Sequence, residues 1–412
     1  MKSWFRRALV LVAAAAPAAL AAQMGLGPWW AAQAIAVVTW ADPIPGGGGL
    51  TEARVVQPMV MLGWRGLAGH LQLQGTIDLE GATIPDGELA PGAWGEGFYD
   101  RRHPHTTVHE LMVSGMDLLG RAGGPVRVSL SAGKGFAPFG SDDPMSRPIA
   151  RYPINHHLAQ ILERAVALVG IRTGPVLLEA GVFNGDEPER PGQWPRWQRF
   201  GDSWSGRLTL LPVRGLELSV SRAGVHSPEH RPGAGTDAEK WHAGGRIERA
   251  AGPAMVYALA EWARTTEADG RFQFRSVLVE AAVDLGRKRI YYRFEQSDRP
   301  EDQRELDPFR SVRPNLENSI LGITRFTLHT AGLQYLIPVW HGRIGLRPFL
   351  EGTLGTARND GGGVLTPEIL YGSEQVRQLS GGLRIGYGMA GHRMGRYGGL
   401  LPQPASHSHP GM

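Results

Sequence analysis

The sequence predicts an all-β fold: a transmembrane up-and-down antiparallel β-barrel of about sixteen strands in a single domain. Three observations predict it. The connections fall into two length classes that alternate along the chain. Tight Gly/Pro joints stand at 63–69, 120–125, 172–175, 212–215, 250–253, 285–287 and 338–342, and longer charged stretches lie between them, most conspicuously 80–106, 137–159 and 297–321. Short turns on one rim and long loops on the other belong to a closed barrel. The intervening runs alternate with period two, apolar on one face and charged on the other. Finally, after Leu20 no segment reaches the ~18 apolar residues of a membrane-spanning helix, which leaves strands as the spanning element.

The N-terminus reads as a targeting segment. Lys2, Arg6 and Arg7 precede the apolar run Ala8–Leu20, and Ala19-Leu20-Ala21 offers a small-x-small cleavage pattern. The division is therefore 1–22 signal peptide, 23–388 barrel and 389–412 a Gly/His/Pro-rich tail expected to be disordered. The chain has no Cys, so it needs no disulfide and has no thiol chemistry. With 57 Gly and 30 Pro its composition is not that of a helical protein, and a net charge of +4 over 412 residues argues against a nucleic-acid partner.

Strands are expected near 29–41, 55–63, 67–79, 107–119, 125–136, 160–172, 175–184, 202–212, 215–224, 238–249, 253–264, 271–284, 287–296, 322–337, 342–356 and 376–388. An even number puts both termini on the turn side. The clearest is 71–79, where Leu71, Leu73, Ile77 and Leu79 oppose Gln72, Gln74, Thr76 and Asp78. Asn155–Leu168 also fits a short helix with Asn155 as its N-cap. Strand after strand has one face suited to hydrocarbon and one suited to water, which lipid outside and a wet lumen inside satisfy together. The inward charges are then Arg127, Arg207, Arg246, Arg289, Arg293, Arg343, Arg347 and Arg384 against Asp78, Glu217, Glu248, Glu295 and Glu351. Rings of charge set the selectivity of a pore. Arg289, Arg293, Arg343 and Arg347 are expected to form a basic ladder that is only partly neutralised.

Imidazoles concentrate in Asp100-Arg101-Arg102-His103-Pro104-His105 and at His109, beside Glu110. Pro104 holds its neighbours extended, so the segment reads as a polar loop re-entering the wall and no metal is assigned to it. A metal reading requires His103, His105, His109 and His156 to converge within ligand distance. Asn184–Pro188 reads as a turn whose Asp186 and Glu187 can meet Arg101 or Arg102. No G-x-S-x-G, H-E-x-x-H, P-loop or G-x-G-x-x-G is present, and Ser205 and His242 read as lumen lining.

The loop signature, with Asp100, Arg101, His103, His105 and Glu110, resembles the DRQHPHD…MEL motif of a porin-like family of outer-membrane barrels without an established substrate. Gly181-Val182-Phe183-Asn184-Gly185-Asp186-Glu187-Pro188 resembles the GxFNGxEPD segment of the same family, and the order of elements extends the likeness over most of the mature chain. Arg102 stands where that family has Gln, and Thr106 where it has Asp. The resemblance implies a barrel of about sixteen strands and passive transport. The expectation is a non-enzymatic channel in the outer membrane of a Gram-negative-type bacterium, passing small hydrophilic solutes with mild anion preference. It would need no cofactor, would sit in outer-membrane lipid and could assemble as a homotrimer. Three other readings are a metal-ion-linked barrel using its His-bearing loops, an outer-membrane barrel hydrolase, and a secreted soluble β-sandwich or propeller whose apolar strand faces would pack on each other.

Overall fold

A computed structural model describes residues 27–44, 47–83, 105–119, 124–149, 151–188, 191–228, 232–300, 322–361, 366–388 and 393–401. The expected signal peptide, 1–22, lies outside the described residues. The strands are β1 (Gly27–Asp42), β2 (Leu50–Gly66), β3 (Leu71–Asp78), β4 (Val108–Gly115), β5 (Val126–Gly135), β6 (Arg164–Thr173), β7 (Val176–Phe183), β8 (Ser203–Leu210) and β9 (Leu216–Val225). They continue with β10 (Ala238–Ala251), β11 (Ala254–Glu267), β12 (Phe272–Leu285), β13 (Lys288–Pro300), β14 (Ile323–Tyr335), β15 (Ile337–Val339), β16 (Ile344–Asn359) and β17 (Gln375–Tyr387). All 17 lie in one sheet in which, β14 and β15 apart, each strand pairs antiparallel with its neighbours in sequence. β1 pairs antiparallel with both β2 and β17, which closes the cylinder and leaves no free edge. β15 continues β14 past Leu336 and both pair with β16, so the 17 strands make one fewer stave, sixteen.

Each segment read as a strand from the sequence is a stave, with its ends displaced by a few residues. The alternative over Asn155–Leu168 survives as one helical turn, His156–Ala159, with Asn155 at the cap position but without a side-chain cap bond. One outer connection departs from the expected alternation of lengths. β11 and β12 are joined by the tight turn Ala268–Gly270, in which Ala268, Asp269 and Gly270 all have positive φ.

The outside of the cylinder is apolar. Leu62, Leu73, Leu111, Val113, Leu130, Leu178, Leu208, Val220, Val277, Leu333, Leu350 and Leu379 are all large and exposed, and they come from staves around the whole circumference. Their inward neighbours, such as Thr76, Ser114, Ser131, Thr209, Ser221, Thr330, Thr353 and Ser380, are buried. An apolar outside over a polar inside suits a bilayer. Aromatic rings mark the two ends of this band. Trp40, Trp204, Trp241 and Trp262 sit towards the loop side, while Trp64, Tyr335, Trp340 and the stacked pair Trp30–Tyr387 sit towards the turn side. Amphipathic rings settle at the two interfaces of a membrane.

Leu350 lies mid-stave on the exterior of β16 and is 50% exposed. Leu350→Arg should lower the unfolding free energy in lipid vesicles by about 2–4 kcal/mol, the penalty for an arginine at the midplane. Denaturant titration followed by tryptophan fluorescence reads this, and a change near zero would place Leu350 away from lipid.

Candidate functional site

The lumen is filled from both ends. From the loop side, the connection between β5 and β6, residues 136–163 and here termed L3, folds inward, and almost every described residue of it is buried. Gly140 makes the inward bend possible. Its φ is +67°, and a Cβ there would come within 1.6 Å of the Ala159 carbonyl oxygen, so the two limbs of L3 touch where only glycine fits. From the turn side, the chain leaves β17 through Gly388, which has φ +63°, and residues 393–401 return into the barrel. This corrects the expectation of a disordered tail for those residues. The remainder of 389–412 lies outside the described residues.

L3 is attached to most of the wall it crosses. Ser221 Oγ accepts from Gly140 N–H at 2.9 Å, and Arg207 donates to the Gly140 carbonyl at 3.2 Å. Lys240 donates to the His157 carbonyl at 2.6 Å and Asn155 to Glu261 at 2.9 Å. Glu295 accepts the Ile154 N–H at 2.8 Å, and Arg293 donates to the Arg151 carbonyl at 2.8 Å. Arg384 reaches the carbonyls of Met145 and Arg147 at 2.9 and 3.1 Å. Apolar contacts fill the gaps. Phe136, Phe139, Ile161 and Leu162 pack on Val166, Leu168, Phe183 and Tyr397, while Ile149 packs among Tyr257, Leu259 and Leu278.

L3 and the tail meet at Asp142. Arg393 donates to it at 2.6 and 2.9 Å, Arg396 at 2.9 Å, and Arg246 of β10 makes a third ion pair. Arg393 also holds Glu217 at 2.5 and 2.9 Å, and Arg396 approaches Glu179 at 3.4 Å. Burial would push the Asp142 carboxyl up, but the guanidiniums of Arg393, Arg246 and Arg396 outweigh it and hold it well below the usual carboxylate range. Tyr397 completes the tail contact, donating to Glu110 at 2.9 Å and accepting from Phe136 N–H at 3.0 Å.

The residues expected to line the pore divide into three groups. Most are inside but paired. Arg207 binds Glu179 at 2.7 and 2.9 Å, Arg289 binds Asp284 at 2.5 and 2.7 Å, and Arg293 binds Glu280 at 2.7 Å. Arg127 pairs with Asp117, Glu248 with Arg246, and Glu351 takes the Tyr291 hydroxyl at 2.9 Å with Arg151 at 3.7 Å. The second group is one residue, Arg343, which the structure removes from the lumen. It lies in the turn before β16, exposed, with its guanidinium 5.4 Å from the Trp340 ring centroid. The expected ladder therefore does not form, because Asp284 and Glu280 stand directly opposite Arg289 and Arg293 across the β12–β13 pair. The third group is Arg347 and Arg384. These two face each other across β16 and β17, and neither makes an ion pair among the described residues. Arg65 and Arg172 are two further turn-side arginines of the same kind.

Of the loop motif, Asp100, Arg101 and His103 lie outside the described residues. Glu110 faces the lumen, taking bonds from Gln74 and Thr76 at 2.9 Å each. Asp186 and Glu187, expected to meet Arg101 or Arg102, meet Arg199 at 3.6 Å and Arg164 at 2.8 Å. The histidines do gather. The His105 ring lies 4.9 Å from that of His109 and 5.9 Å from that of His156, although His109 is engaged by Glu163 at 2.8 Å. His105 faces Asp78 and Glu80 instead. Ser205 and His242 are buried inside the barrel, with His242 3.2 Å from Glu261, and no hydrogen bond joins the two among the described residues. Sequence reading missed Asp142, Glu179, Arg393 and Arg396. Three of them, Asp142, Arg393 and Arg396, were legible only as charges in a loop or tail, and nothing local marked them as partners.

Asp142→Asn should release the tail, since it removes the one carboxylate that Arg393 and Arg396 share, a loss of about 3–5 kcal/mol for a broken buried pair. Amide exchange over 393–401, read by mass spectrometry on the folded barrel, should rise by roughly 10-fold or more. Because the folded pKa is depressed, the wild-type attachment is fully present above the unfolded value of about 3.9 and is lost only as pH falls further. Protection that is the same in wild type and variant would contradict the latch.

No family profile matches the sequence, and no curated protein matches it. Solved structures do. An anion-selective porin from Comamonas acidovorans is 11% identical, with a TM-score of 0.48 over 87% of this chain and 99% of that one. The outer-membrane channel DcaP of Acinetobacter baumannii is 9% identical, with a TM-score of 0.48 over 87% and 96%. OprB of Pseudomonas putida is 9% identical, with a TM-score of 0.49 over 89% and 95%.

Proposed function

We propose that the chain is a porin-like channel of the outer membrane of a Gram-negative-type bacterium, passing small hydrophilic solutes by passive diffusion. The observation that carries this reading is the closed sixteen-stave cylinder, apolar outside and polar within. Such a wall has a use for its inner charges only where water or solute reaches them. L3 and the tail set the size limit. Between them and the wall lies a small cleft of ≈ 20 Å³, partly open to solvent and lined in part by Ser141, Asp142, Glu217, His242, Arg246 and Arg393. A lumen narrowed by loop and tail in this way should conduct weakly for a barrel of sixteen staves.

Mild anion preference rests on the turn-side arginines. Like charges directly opposite on a sheet repel, and Arg347 with Arg384 form such a pair on the lumen face. Arg384 is held by the carbonyls of Met145 and Arg147 and by Gln33 at 2.6 Å, none of which cancels its charge. With Arg65 and Arg172 on the same rim, the field extends ~8–10 Å at physiological salt, enough to reach a passing anion.

Reversal potentials in asymmetric KCl across a planar bilayer test both parts. The wild-type chain should insert, conduct in small steps and favour chloride. Arg347→Gln with Arg384→Gln should bring the chloride-to-potassium permeability ratio down several-fold while the barrel stays folded. An unchanged reversal potential would reject the anion preference, and absence of any step current would reject the channel.

A further inference from the structure

The loop-side end of the wall holds a group of ionisable side chains for which the channel reading has no task. Asp78 ends β3, Glu80 opens the helical turn Glu80–Thr83 that follows, and His105 re-enters the wall just before β4. All three are buried, and one donor atom from each lies within 4.8 Å of the others. His105 Nδ1 is 3.2 Å from Glu80 Oε2 and 3.6 Å from Asp78 Oδ2. Two ligands that each sit about 2.1 Å from a tetrahedral Zn²⁺ are about 3.4 Å apart. The observed separations bracket that value.

The outer oxygens of the two carboxylates are already held. Asp78 Oδ1 accepts the Glu80 N–H at 2.8 Å, and Glu80 Oε1 accepts the Gln57 N–H at 3.0 Å. Gln57 can aim its N–H there because it adopts φ 49° where the β1–β2 register slips. Its own side chain is fixed by Gln33 at 3.0 Å. Supporting bonds of this kind orient metal ligands. They turn Asp78 Oδ2 and Glu80 Oε2 towards one point, and Asp78 Oδ2 has no hydrogen-bond partner although it is fully buried. Two carboxylates against one imidazole also leave surplus negative charge in a dry place, which is costly unless it is neutralised. Tyr152 Oη, 3.4 Å from His105 Nδ1, brings a fourth oxygen from L3.

We propose that Asp78, Glu80 and His105 form a binding site for one borderline divalent cation of the zinc class, tying the loop after β3 to the lumen wall. The mixed imidazole and carboxylate donors suit Zn²⁺, and two carboxylates match its charge. This site differs from the all-histidine set anticipated from the sequence, because His109 is committed to Glu163. It does not depend on the channel reading.

The test uses the full chain, folded in detergent, stripped with chelator and titrated with ZnCl₂ by calorimetry in a His407→Ala/His409→Ala background that removes the tail imidazoles. One equivalent per chain is expected. Asp78→Asn and Glu80→Gln, each checked for a folded barrel by heat-shifted gel mobility, should weaken binding by roughly 10-fold or more, a loss of about 1.4 kcal/mol or more. If Asp78→Asn does not fold, Glu80→Gln carries the test. Absence of saturable binding in the parent, or binding undiminished in a folded variant, would overturn the site.

Discussion

The buried carboxylate of Asp142 is the interaction on which the interior depends. It sits on L3, which enters from the loop rim, and it is gripped by Arg393 and Arg396 of a tail entering from the turn rim and by Arg246 of the wall. A carboxylate removed from water at this depth is stable only when cations replace its hydration. The three guanidiniums in turn need more negative charge than one aspartate supplies, and Glu217 on β9 and Glu179 on β7 provide it. Loop, tail and wall are therefore coupled through one network, and removing any member leaves a buried charge uncompensated.

Filling the lumen changes what the inner face of the barrel must do. An open pore is lined by solvated polar groups, whereas this wall carries apolar residues where L3 presses on it and ion pairs where it is charged. Leu168, Phe183, Tyr257 and Leu259 all point inward and are buried against the plug. The lumen charge is concentrated accordingly. Glu179–Arg207, Glu280–Arg293 and Asp284–Arg289 cancel locally, and the surplus is left to the arginines of the turn-side rim.

The staves were legible because period-two alternation and Gly/Pro turns are local signals, and a strand half in lipid and half in water displays them strongly. The pairing of charges was not. Arg289 and Arg293 look like a ladder within their own strand, and only the register with β12 reveals Asp284 and Glu280 opposite them. Arg343 looked inward by parity, yet the turn at Trp340–Gly342 ends the alternation before it. The tail failed for a different reason. Gly395, Gly398 and Gly399 have φ of +79°, +72° and +59° and let the chain press against Phe136, Ser129 and Met116, so glycine content that suggests disorder in isolation here permits close packing. His105 was singled out within its loop, but Asp78 was assigned to the pore lining and Glu80 to none of these sets, since nothing in the sequence shows that the loop after β3 returns beside its start.

The absence of cysteine makes the central claim, that the tail lies inside the barrel against L3, open to a direct measurement. A Cβ built on Gly395 would stand 3.4 Å from the Cβ of Phe136, close to the spacing of a disulfide. Phe136→Cys with Gly395→Cys, oxidised in the folded barrel in lipid vesicles, should form an intramolecular disulfide, with the two linked peptides recovered by mass spectrometry. Free thiols at both positions in a folded barrel would contradict the account.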